Sequence, residues 1–226
     1  MWALLRRRGL AINPKRVHRL WRCAGLALPR RRPRRKLRTG ARLRPRADRP
    51  NAVWTYDLVH DACTNGTGFK CLTVVDEFTK ECLSITVARS LPAERVLQVV
   101  AQLVSRRGAP QYLRSDNGPE FIAHRIQRWL KGAGITTAYI DPGKPWQNGV
   151  GESFHSRFRD ECLNQEAFFT VHEAAIIIEQ YRRAYNHARP HSSLQYHTPA
   201  EVAKRRARPH GEPSLQRGQQ TPVAVA

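Results

Sequence analysis

Apolar side chains first recur with helical spacing at Val17, Leu20, Trp21 and Ala24, the i, i+3, i+4, i+7 pattern of one helix face. Asn13 is a good N-cap, Pro14 suits the first helical position, and Gly25 can close the end. Lys15, Arg19 and Arg22 fall on another face. Before this helix, the stretch 2–8 is too short for much more than a helix end, and Gly9 breaks it. From Leu28 to Pro50 apolar positions nearly vanish, and six Arg or Lys with intervening Pro crowd the stretch from Arg30 to Lys36. That composition predicts an extended basic linker, disordered until it meets a polyanion.

After Pro50 the pattern changes to β-branched and aromatic runs. Val53–Val59, Lys70–Val75 and Leu83–Ala88 read as strands, with turn residues Asn65, Gly66 and Gly68 between the first two. Pro92 opens a helix whose Val96, Leu97, Val100 and Val104 keep the 3.6 period up to Gly108. A short strand Tyr112–Ser115 follows, then a helix over 119–131, a strand over 136–140, a loop Pro142–Gly149 and a helix from about Gly151 to Leu163. Thr170 with Glu173, and Thr198 with Glu201, are capping boxes that open two more helices. Beyond Arg206 the chain reads as a frayed tail. Three consecutive strands and then alternating helices and strands predict an α/β fold with a mixed sheet flanked by helices, preceded by a small basic helical segment. The expected division is 1–27 partial helical DNA-binding segment, 28–50 linker, 51–203 core and 204–226 tail.

Composition narrows the classes. The 226 residues are 41% hydrophobic and 25% charged, which is too apolar for wholesale disorder. No stretch reaches the apolar length of a membrane span, and no apolar run precedes the arginines at 6–8, so no membrane or secretory role is expected. Five cysteines lie far apart without a Cys-x-x-Cys pair, which excludes a zinc ribbon and fits the reducing cytoplasm. Charge is more telling. Of the net +21, residues 1–50 hold +17, with 18 bases and the single acid Asp48. A basic arm on a near-neutral domain points to nucleic acid, because each neutralised phosphate releases condensed counterions.

Three acids stand out by position. Asp57 lies in a strand whose neighbours are apolar on both parities, so it must be hydrogen-bonded, paired or bound to a cation. Asp116 follows the strand Tyr112–Ser115, and strand ends are where α/β sheets build sites. Glu152 opens a helix after a Gly- and Lys-bearing loop, with Ser156 and Arg159 on its face and Phe154 and Phe158 roughly opposite as anchors. Taken singly, each has an ordinary structural reading: a satisfied strand aspartate, a turn residue, a first-turn glutamate.

Taken together, with 35 residues between Asp116 and Glu152, they make the chain resemble the DDE recombinases, the transposases and retroviral integrases with an RNase H-like core. The text is closest to the integrase-core subunit of bacterial insertion-sequence transposases of the IS-three family. It runs WTYD (Trp54–Asp57), VVDEFTKECL (Val74–Leu83), RSDNGPEF (Arg114–Phe121) and PGKPWQN (Pro142–Asn148). It continues with ESF (Glu152–Phe154), RFRDECLN (Arg157–Asn164), YNHARPHSSL (Tyr185–Leu194) and TPAE (Thr198–Glu201).

The resemblance implies an RNase H-like fold and makes Asp57, Asp116 and Glu152 a metal-binding catalytic triad, with Arg159 the basic residue seven positions on. Such carboxylates suit two Mg²⁺ (or Mn²⁺) ions serving both sides of an in-line phosphoryl displacement. It implies cleavage and strand transfer on double-stranded DNA, at the element's terminal inverted repeats and a target, by a homo-oligomer in the bacterial nucleoid. An upstream reading frame would supply a helix-turn-helix and zipper as partner or fusion. The chain reads either as that separately encoded subunit or as a truncated copy. Expected DNA contacts are Lys15, Arg16, Arg19, Arg22, Lys144, Trp146, Asn148 and Arg159. Asp61, Asp76, Glu120 and Asp160 lie near the motifs but do not complete the family spacing, and His191 reads as structural. The rival readings are a non-catalytic DNA-binding remnant and an RNase H-like nuclease for branched DNA or RNA hybrids.

Overall fold

The computed structural model describes residues 1–26, 45–115, 124–139 and 148–207. Their elements are α1 (Trp2–Arg7), α2 (Pro14–Cys23), β1 (Val53–Ala62), β2 (Gly68–Asp76), β3 (Cys82–Ala88) and α3 (Ala93–Arg107). Then follow β4 (Tyr112–Ser115), α4 (His124–Gly132), β5 (Thr136–Tyr139), α5 (Gly149–Phe158), a π-helical turn Arg159–Leu163, α6 (Val171–His187) and α7 (Pro199–Ala207). Most of the expected linker, the tail beyond 207, the start of the helix expected over 119–131, and Asp116, Glu120, Lys144 and Trp146 lie outside the described residues.

The strands form one mixed sheet in the order β3-β2-β1-β4-β5. The β1–β2 and β2–β3 pairs are antiparallel, while β4 joins β1, and β5 joins β4, in parallel. β1 is therefore central, which explains why Val53, Trp54, Thr55 and Tyr56 are all buried. It runs three residues past the expected Val59, because its pairing with β2 continues to Ala62 opposite Gly68. The turn beyond uses Asn65 and Gly66 as expected: Thr67 N–H donates to Asn65 Oδ1 at 2.9 Å, and Gly66 has φ +81°.

Strand parity divides the interior into two layers. Trp54, Tyr56, Leu72, Val74 and Leu113 pack with α3 and α4 through Val96, Val100, Ile126 and Leu130. Val59, Cys71 and Val75 pack on the other side with Phe154, Phe158, Ile178 and Tyr185. Thr55 and Asp57 share the parity of Val59, so β1 presents them to the layer that contains α5.

Several motif residues turn out to build this frame. Asp76, a near-motif acid, is 2% exposed; its Oδ1 accepts Phe78 and Thr79 N–H at 2.9 Å, and its Oδ2 accepts Asn51 N–H at 2.7 Å. The first two bonds close the β2–β3 turn, and the third ties it to the residues before β1. Asn186 accepts Cys82 N–H and donates to Cys82 C=O, both at 2.9 Å, so it stitches α6 to the start of β3. The Thr198–Glu201 box closes in full, whereas Glu173 turns back to the Phe169 N–H. Thr170 accepts Glu173 N–H, and Thr198 and Glu201 each accept the other's backbone N–H.

The N-terminal part differs from expectation. The stretch at 2–7 does form a helix, which six residues would not sustain alone. Tertiary contacts hold it: the Trp2 indole donates to Ile12 C=O at 2.8 Å and meets Tyr196 edge-on, while Arg7 pairs with Glu201. In α2 the expected apolar face is only half covered, since Val17 is buried but Leu20 is 54% exposed. No helix among the described residues is long and apolar enough to cross a membrane.

Candidate active site

Asp57 stands at the centre of β1, directly opposite Thr73 on β2. Its Oδ1 accepts the Leu58 N–H at 2.7 Å, and its Oδ2 lies 3.5 Å from Nδ1 of His155 on α5. The other ring nitrogen, Nε2, is 2.8 Å from the Thr73 hydroxyl, which also lies 3.1 Å from Asp57 C=O. A hydroxyl has one proton. Donated to Nε2 over the shorter distance, it fixes the tautomer with Nδ1–H directed at the Asp57 carboxylate. A carboxylate nearby favours imidazolium, but burial and the Arg159 guanidinium outweigh it and push His155 down to about 4. His155 is thus a neutral bridge between α5 and two strands. The motifs did not point to it, although its i+3 position puts it on the Glu152 flank of the helix.

The start of α5 is pinned to the same strand. Thr55 Oγ1 donates to Asn148 Oδ1 at 2.6 Å, and both residues are buried. Asn148, expected at a DNA surface, therefore serves here as an internal tether, for its amide is held two residues before Asp57. A Cβ on Gly151 would meet the Asn148 side chain at 2.6 to 2.9 Å, so glycine is what lets the tether and the first turn coexist. On the opposite flank, Phe154 meets Tyr185 edge-on at 4.9 Å and Phe158 stacks on Tyr181 at 5.3 Å, the anchoring expected of both phenylalanines.

These contacts leave Glu152 exposed in the first turn of α5, on the helix that packs against β1. Arg159 is exposed too; its Nη2 lies 3.4 Å from His60 C=O near the far end of β1. The α-helical rise holds from Glu152 to Phe158. Beyond it the expected α-helix to Leu163 becomes a π turn, with Asn164 N–H donating to Arg159 C=O at 2.9 Å. Arg189 grips this turn through a bidentate pair with Glu161 at 2.7 Å. The strand leading to Asp116 runs beside β1, Arg114 opposite Thr55. Arg114 itself, 8% exposed at its side chain, pairs with Glu77 at 2.7 Å.

Of the remaining expected contacts, Lys15, Arg16, Arg19 and Arg22 are exposed on α2. Among the described residues no three His, Cys, Asp or Glu side chains converge to hold a cation. Asp57 and Glu152 do offer the hard carboxylate oxygens that suit Mg²⁺, one on each of two packed elements. Cys71 and Cys162, in the layer beneath α5, do not fit a nucleophile's part: both are buried, and burial pushes both thiols up to about 12.

Two family models, each described as integrase core domain, match residues 47–145 and 133–199. The insertion element IS407 uncharacterized 31.7 kDa protein of Burkholderia multivorans is 43% identical over 206 residues, covering 91% of this chain and 74% of that protein. The transposase InsD for insertion element IS2A/D/F/H/I/K of Escherichia coli is 28% identical over 222 residues, 92% of this chain and 73% of its own length. The HTLV-2 integrase catalytic core domain in complex with magnesium superposes with a TM-score of 0.53 at 17% identity, over 70% of this chain and 99% of that one. This last likeness is one of fold.

Proposed function

The chain belongs to the integrase core domain family, as a bacterial insertion-sequence transposase of the DDE type, and from that premise we propose how its residues do the work. The reaction is metal-dependent cleavage of DNA at the ends of an insertion sequence and transfer of the freed 3′ ends to a target. One observation carries the reading: β1 parity turns Asp57 toward the same layer in which the Thr55–Asn148 tether sets the first turn of α5, where Glu152 stands.

Asp57, Asp116 and Glu152 would hold two Mg²⁺ ions, which supply activation of the attacking oxygen and neutralisation of the leaving one. The chain's own parts are the positioning. The Asp57 carboxylate is steered by the Leu58 N–H and the neutral His155. Arg159, seven residues after Glu152, supplies a guanidinium for a DNA phosphate. Lys15, Arg16, Arg19 and Arg22 add phosphate contacts on α2, and Lys144 and Trp146 add a phosphate contact and a stacking face before α5. The protein acts as an oligomer on double-stranded DNA at the nucleoid, with an upstream-frame helix-turn-helix product as partner or fusion.

The test is direct. Asp57→Asn, Asp116→Asn and Glu152→Gln should each abolish Mg²⁺-dependent nicking and strand joining while duplex binding in a mobility-shift assay persists. Near-normal joining by any one of the three would remove that residue from the triad.

A further inference from the structure

A second feature of the sheet concerns DNA rather than metal. Along α4, His124, Gln127, Arg128 and Lys131 recur at i, i+3, i+4 and i+7, one outward face, while Ile126 and Leu130 are buried on the other. This face and the edge strand β5 enclose a groove of about 530 Å³, lined also by Thr137 and Tyr139. Among the described residues no carboxylate lines it. Arg125, just off the face, is paired with Glu94 at 3.2 Å, but among the described residues neither Arg128 nor Lys131 has an acidic partner. Gln127 donates to the Tyr139 hydroxyl at 2.7 Å and ties that 39%-exposed ring to the helix. In register, Tyr139 pairs with Ser115, so the groove reaches the end of the sheet from which the chain continues to Asp116.

We infer that this groove seats the sugar–phosphate backbone of the target duplex, the DNA that receives the joined ends. The inference rests on the transposase reading above. Two cations one helical turn apart, with hydroxyls opposite, are donors matched to phosphate oxygens on one strand. Phosphate contacts carry no sequence information. That suits a duplex gripped without base readout, and not an element end, which must be told apart from all other DNA.

The experiment uses the full chain and a labelled mixed-sequence duplex of about three helical turns. In a KCl series, Arg128→Ala/Lys131→Ala should lower the log–log salt slope by about 2, roughly 0.9 for each phosphate that is no longer neutralised. Arg128→Lys/Lys131→Arg should restore it. A photo-crosslinking residue at Thr137 should capture duplexes of unrelated sequence with yields within about twofold, and one at His172, on the helix packed at the opposite edge strand, should not. An unchanged slope, or equal capture from both positions, overturns the inference. So does a strong preference of the Thr137 probe for one sequence, which would give the groove to an element end. Neither readout needs cleavage, so failure here leaves the triad test standing, and failure of the triad test leaves these outcomes readable.

Discussion

Arg114 stands two positions before Asp116 in the most family-like run of the sequence, and its guanidinium pairs with Glu77 and donates to the carbonyl of Pro45 at 3.0 Å. Burial holds the Glu77 carboxyl above its ordinary value even against this partner. Arg114→Ala should therefore strand a buried acid and destabilise the protein by about 3 to 5 kcal/mol in urea unfolding. Adding Glu77→Gln should return much of that stability, because a neutral amide is cheaper to bury. A motif residue can thus belong to the family text and serve the frame of the fold. Asp57 and Glu152 were legible because their surroundings, an apolar strand and a helix start, are written locally. His155 was not, for its meaning lies in Thr73, 82 residues away, which a periodicity cannot show.

At the scale of elements, α5 is held by its ends rather than by its propensity. Gly151→Ala would ordinarily favour a helix by about 0.5 to 1 kcal/mol. Here the added carbon meets the Asn148 side chain, whose retreat breaks the 2.6 Å bond from Thr55. The expected sign is reversed: a loss of about 1 to 3 kcal/mol, with slower strand joining because Glu152 shifts with its helix. Gly151→Ala/Asn148→Ala should regain part of the stability and little of the rate, measured by thermal melting and plasmid joining on the same samples. Helix starts were legible in sequence, since Asn13, Thr170 and Thr198 cap by local rules. The π turn after Phe158 was not, because the grip of Arg189 on Glu161 comes from another element.

At the scale of the molecule, the arm and the core are joined by few contacts and much charge. Deleting residues 1–50 removes +17 and should flatten the salt slope of duplex binding markedly. It also removes the Arg7–Glu201 pair and the Trp2–Tyr196 ring contact, so α7 should lose hydrogen-exchange protection while the sheet keeps its own. Acid should act elsewhere. Burial, with Arg189 and Arg157 nearby, pushes His191 down to about 4 against the pull of Glu161 and the Tyr185 carbonyl. The folded state then binds fewer protons than the unfolded one between pH 6.5 and about 4. Stability is flat from this group above that window and falls as pH drops through it, by about 1 kcal/mol per unit. His155, pushed down to about 4 as well, adds a like slope, so His191→Gln should roughly halve the fall over that stretch of a urea-midpoint profile and leave the share of His155. The alternation along β1 has a last consequence, for chain length. One residue added between Val53 and Asp57 would keep every side chain and send the carboxylate into the Trp54 layer, under α3. Insertion of a single alanine there should silence strand joining, whereas the same insertion in the exposed turn at Asn65 should pass almost unnoticed. Among natural variants of this enzyme, indels should collect at that turn and be missing from the strand.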